Sequence, residues 1–176
     1  MSLNSERIYV AGRSRRIALV IVLAGTVVGL GANAFAQSDP TPNKTALVGS
    51  WLETVTFPPE FGRPPLKSLV TFHGDGTMVN SDQGGVTVDP PLVATSGHGA
   101  WQHLRHRTFA YVQRELFSDL NGNLTGHLKV RGIYTVSDSG GEYTGTSFAE
   151  VFDADGNFLA SVEVTNAAER IVVELP

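Results

Sequence analysis

Residues 107–136, RTFAYVQRELFSDLNGNLTGHLKVRGIYTV, decide the fold. Apolar and polar residues alternate on both sides of Asp119-Leu120-Asn121-Gly122-Asn123, Thr and Val are frequent, and no helical period appears. That pattern reads as two strands joined by a tight turn. The five-residue unit suits a three-residue hairpin loop, a type I turn followed by Gly in the left-handed conformation. The same unit recurs as Asp153-Ala154-Asp155-Gly156-Asn157. Working outward, strands are predicted near 48–57, 66–73, 77–81, 99–104, 107–118, 124–136, 143–152 and 157–165. Eight strands in one small all-β domain predict an eight-stranded antiparallel up-and-down barrel, because closure removes the sheet edges that would template aggregation. Residues 82–97, with Gly84, Gly85, Pro90 and Pro91, form a long loop able to cover one barrel mouth.

The turns also predict register. If Asp119 faces Asn123, then Leu116 faces Gly126, Arg114 faces Leu128 and Val112 faces Val130. If Asp153 faces Asn157, then Phe152 faces Phe158, Glu150 faces Ala160 and Phe148 faces Val162. The face carrying Leu124, Leu128, Val130, Tyr134, Phe148, Phe158, Val162 and Val164 is then the interior. A loop over 137–141 that pairs Val136 with Glu142 puts Arg114, Leu128 and Glu150 in one row, so Arg114 and Glu150 are expected to form an interior ion pair. Glu53 shares a face with Trp51, Val55 and Phe57 and is expected to point inward too. A buried charge costs several kcal/mol unless it is paired or neutralised, so these residues mark a polar spot inside an apolar barrel. A slip of one residue inverts the assignment and brings in Phe109, Tyr111, Gln113, Glu115 and Phe117, with Tyr111 near Gly132. Without the slip, Phe109, Tyr111 and Phe117 are an outer stripe needing cover by residues 167–175 or by a second subunit, which leaves a homo-oligomer through the outer wall open.

Residues 13–36, RSRRIALVIVLAGTVVGLGANAFA, read as an export signal: three arginines, an apolar run, and a small-x-small site at Ala34-Phe35-Ala36. The expectation is a signal peptide over 1–36 cleaved after Ala36, a flexible tether over 37–46, a single domain over 47–176, and a secreted or periplasmic location. The rival reading is a retained membrane anchor. Removing residues 1–36 leaves nine Lys and Arg against sixteen Asp and Glu, a net charge of −7. That balance argues against nucleic acid or an anionic membrane as a partner. There is no cysteine, hence neither disulfide nor thiolate chemistry.

Gly49-Ser50-Trp51 on the first strand and Arg170 near the C-terminus resemble lipocalin-like, or calycin, barrels, in which such a Trp closes one end beneath an Arg. The resemblance implies that Trp51 and Arg170 form a structural plug, and a guanidinium stacked on an indole is favourable. Allene oxide cyclase-like and dirigent-like barrels, with eight meandering strands, are similar too, and that resemblance implies association through the outer wall. Gly99-Ala100-Trp101 repeats the first motif fifty residues on.

Two functions follow. One is a binding module whose interior takes a small, mainly apolar molecule, lined by Glu53, Trp101, Leu128, Tyr134, Phe148 and Glu150, with Arg114 anchoring a carboxylate, carbonyl or phosphate head. The other is a barrel cyclase or isomerase in which Glu53 or Glu150 is the general acid or base and Tyr134 a donor. A structural or assembly role stands third. No cofactor is implied. No metal site is expected, since His103 and His106 point to opposite faces of a strand and no carboxylate completes a set with His98. The two Asp-rich turns lack the Glu at position twelve of a calcium loop, and Ser96-Gly97-His98-Gly99 lacks the context of a nucleophile elbow.

Overall fold

The computed structural model describes residues 44–83 and 91–175. The expected export signal, the expected tether up to residue 43 and residues 84–90 of the expected long loop lie outside the described residues. Among the described residues nine strands follow in order: β1 (Gly49–Thr56), β2 (Leu66–Phe72), β3 (Thr77–Asp82), β4 (Val93–Ala94), β5 (Gly97–Arg105), β6 (Thr108–Ser118), β7 (Leu124–Val136), β8 (Glu142–Asp153) and β9 (Phe158–Arg170). All pairings are antiparallel, and eight strands close on themselves in the order β1-β2-β3-β5-β6-β7-β8-β9 and back to β1. The short β4 lies beside the end of β6, Val93 opposite Ser118. Among the described residues there is no α-helix, only a 3-10 turn at Pro59–Phe61.

Both Asp-rich turns adopt the expected geometry. Gly122 and Gly156 take φ of 84° and 86°, a region glycine enters without a Cβ penalty. Asp119 accepts from the backbone N–H groups of Asn121 and Asn123 at 2.9 and 2.8 Å, and Asp153 does the same for Asp155 and Asn157 at 3.0 and 2.8 Å. One pair beyond each turn, however, the ladder slips. Ser118 faces Leu124 but Phe117 faces Gly126, leaving Thr125 as an extra residue. Phe152 faces Phe158 as expected but Val151 faces Ala160, leaving Leu159 extra. The third hairpin has a four-residue loop, with Val136 opposite Tyr143 rather than Glu142.

Each change moves the pairing by one residue, and with a side-chain period of two that flips a whole strand. The even-numbered residues of β7 and β9 face inward as expected, whereas β6 and β8 present their odd-numbered residues. Several expectations are thereby corrected. Arg114 is exposed on the outer wall opposite Lys129, and Glu150 lies outside between Lys129 (3.0 Å) and Arg131 (3.3 Å). Arg114 and Glu150 therefore form no interior pair. Phe148 is also outside, 5.4 Å beneath the Arg131 guanidinium. Phe109 and Tyr111 are not an outer stripe but core, and residues 167–170 continue β9 rather than folding back over β6.

One end of the barrel is closed, and among the described residues the other is open. At the closed end Trp51, 0 % exposed, packs edge-on against Tyr143 and donates from Nε1 to the Leu47 carbonyl at 2.9 Å. Arg170 lies 4.1 Å above the indole, and its guanidinium donates to the carbonyls of Ala46, Val48 and Gly140. Phe72, Met78, Phe109, Val136 and Ala168 fill the space behind. Large rings fit because glycines face them across the wall: Tyr111 lies opposite Gly132 and Tyr134 opposite Gly145, where a Cβ would meet the ring. Towards the open end the inward residues Val55, Leu128, Val130, Ala149, Val151 and Val162 are only half-buried.

Candidate functional site in the barrel interior

Midway down the barrel three tyrosines form a ladder, Tyr111 on Tyr134 at 4.5 Å and Tyr134 on Tyr143 at 4.4 Å between ring centroids. They come from β6, β7 and β8, each with an inward side chain. The hydroxyls of Tyr134 and Tyr143 both donate to Oε1 of Glu53 on β1, at 2.7 and 3.0 Å. Tyr111 shares a hydrogen bond of 2.7 Å with Ser147, which donates to Asn166 at 2.6 Å. Burial is the largest influence on Glu53 and pushes its carboxyl upward, while the bonds from Tyr134 and Tyr143 pull the other way. All three phenols are pushed up, chiefly by burial, so they act as donors rather than phenolates.

Nearer the open end lies a second polar group. Asn80 on β3 donates from Nδ2 towards Asp82 Oδ1 at 3.1 Å, Glu115 Oε1 at 3.3 Å and Ser68 Oγ at 3.5 Å. Gln113 donates to the same Glu115 oxygen at 3.3 Å. Burial first, then the nearby Asp82, raise the Glu115 carboxyl to about 7. Such a group shares its proton about evenly at neutral pH, the condition for general acid–base work.

Of the residues singled out from sequence, the structure brings Glu53 and Tyr134 into direct contact and places Leu128 on the inner wall towards the open end. Trp101 faces inward near the closed end, edge-on to Phe109 at 5.6 Å and bonded through Nε1 to the His73 carbonyl, which makes it part of the packed core. Arg114, Phe148 and Glu150 are not in the interior. Asn80, Asp82, Tyr143 and Asn166 were missed, and Glu115 was placed inside only by the one-residue slip, which is the register β6 adopts. Asn80, Asp82 and Asn166 follow the simple alternation of β3 and β9, whereas Tyr143 and Glu115 become readable only once the register of β6 and β8 is known.

Two hollows among the described residues lie away from the barrel axis. One of about 300 Å³ lies on the outer wall among Leu52, Thr54, Lys67, Glu142, Thr144, Ala167 and Glu169. The other, about 630 Å³, lies between Phe57–Phe61 and residues 161–165 of β9. Among the described residues no group of three or more His, Cys, Asp or Glu is placed to hold a metal ion.

Comparison with protein-family models, curated proteins and solved structures yields no match. The closed eight-stranded antiparallel barrel is consistent with a lipocalin-like architecture, and the resemblance rests on that architecture together with the Trp51 and Arg170 end.

Proposed function

We propose that this is an exported binding barrel whose open end takes one small, mainly apolar molecule. The observation that carries the reading is the contrast between the two ends. Apolar side chains fill the closed end, while Val55, Leu128, Ala149, Val151 and Val162 on the inner wall of the other half are only half-buried, with Val130 packed on the edge of the core. An inward apolar wall left half-exposed, with a few convergent polar groups at its base, is the usual form of a small-molecule site. Arg114, on the outer wall, has no part in it, so an anionic head has no cationic anchor there.

The test uses N-phenyl-1-naphthylamine, a neutral apolar fluorophore whose emission rises on leaving water. Saturable binding at one molecule per chain is expected, together with its loss in Val130→Trp, which fills the cup, and its retention in Val112→Trp on the outer wall. Equal behaviour of the two variants would refute the reading. Native mass spectrometry of protein purified from its own host would identify the resident molecule.

A barrel cyclase or isomerase is the second reading, favoured by Glu115, whose carboxyl near 7 suits it to take and return a proton. Glu53 with Tyr134 is a further acid and donor in contact. Exchange of a C–H proton of the copurified molecule with deuterium oxide, lost in Glu115→Gln, would support this reading over simple binding.

A further inference from the structure

We infer that the head group selected by this cup is a protonated amine, held by Asp82, Asn80 and Glu115 on an otherwise apolar ligand. The inference rests on the binding reading above and specifies its ligand class. It starts from a shortage of donors. The Asn80 amide nitrogen carries two hydrogens and has three acceptors within reach, on Asp82, Glu115 and Ser68. Gln113 supplies one further donor to Glu115. Asn80 Oδ1 has no partner at all, although Asn80 is only 4 % exposed. A buried acceptor without a partner is costly and rare in a folded protein.

Gly97 lies opposite Asn80 on the neighbouring strand, and a Cβ there would collide with Asn80 Oδ1 and approach Glu115 Oε1 at 3.1 Å. The glycine leaves both oxygens together at one spot on the inner wall. A group rich in N–H and carrying positive charge fits an unpartnered carbonyl flanked by two carboxylates.

Among the described residues no Lys or Arg forms a salt bridge with Asp82 or Glu115. Lys67, Arg114, Lys129 and Arg131 occupy outward positions, and Arg107 and Arg170 donate to backbone carbonyls at the closed end. Arg63, in the connection between β1 and β2, lies 4.7 Å over the Phe57 ring. A metal cation is disfavoured by the same set, which among the described residues has two carboxylates and no further ligand of the His, Cys, Asp or Glu type.

Octylamine, octanol and octanoate share one chain and differ only in the head, so each is titrated at about pH 8, where an alkylammonium stays protonated, by displacement of N-phenyl-1-naphthylamine. Charge-assisted bonds predict octylamine binding at least about tenfold more tightly than octanol, with octanoate weakest. Asp82→Asn with Glu115→Gln is expected to bring octylamine to the level of octanol and leave octanol unchanged. Equal binding of all three, or a preference for octanoate, overturns the inference while the cup stands. If neither the fluorophore nor any of the three binds, the binding reading itself fails. The wild-type comparison needs no variant to fold.

Discussion

Replacing Glu115 by Gln is expected to stabilise the barrel at alkaline pH, an unusual outcome for removal of a hydrogen-bonded acid. In the folded chain its carboxyl is held at about 7 against 4.5 for a free glutamate, with burial the first cause and Asp82 the second. Asn80 and Asp82 on β3, Ser68 on β2, Gln113 on β6, Gly97 on β5 and Leu128 on β7 surround it, and Asp82 is the charged member. Below 4.5 the group is neutral in both folded and unfolded chains, and its favourable burial is fully present. Between 4.5 and about 7 the unfolded chain ionises while the folded one resists, so this stability is lost as pH rises. At about 1.4 kcal/mol per pH unit the loss amounts to roughly 3 kcal/mol by pH 8. Glutamine keeps the shape, accepts from Asn80 and Gln113 and cannot ionise. Urea melts followed by Trp fluorescence should therefore show wild type losing about 2.5 kcal/mol more than Glu115→Gln between pH 5 and pH 8. Glu53, raised in the same direction, leaves a residual slope of the same sign in the variant. Parallel pH profiles for the two proteins, or a variant weaker than wild type at pH 8, would refute the argument from burial.

Trp51→Ala should cost about 3 to 5 kcal/mol in a denaturant melt, since it empties the closed end and strips Arg170 of its stacking partner; a loss below about 1 kcal/mol would mean that end is not packed. Arg114→Met should change stability by no more than about 0.5 kcal/mol, as exposed positions do, and its effect should add to that of Glu150→Gln in a double-mutant cycle, whereas coupling between them would restore the interior pair. Gly132→Ala should destabilise by about 1 to 3 kcal/mol through overpacking against Ser147 and Tyr111, read as a lowered melting temperature. N-terminal sequencing of the exported protein should begin at Gln37; a chain starting at Met1 and sedimenting with membranes would favour the anchor.

Alternation, Asp-x-x-Gly turns and the absence of a helical period were enough to read eight barrel strands from the sequence, because each is a local property of the chain. The turns at Asp119–Asn123 and Asp153–Asn157 were likewise legible, their Asp side chains and glycines being dictated by backbone geometry over a few residues. Glu53 and Tyr134 could be placed inward, since β1 and β7 follow simple parity. Which face of β6 and β8 enters the barrel was decided elsewhere. The extra residues Thr125 and Leu159 carry no signature of their own; they become bulges because the closed barrel must bury Phe109, Tyr111, Tyr143 and Ser147 together while leaving Arg114 and Glu150 in water. A local turn sets the first pair of a hairpin, but only burial summed over the whole strand selects between registers that differ by one residue. The acids of the interior followed that selection: Glu115 was carried in as Glu150 was carried out.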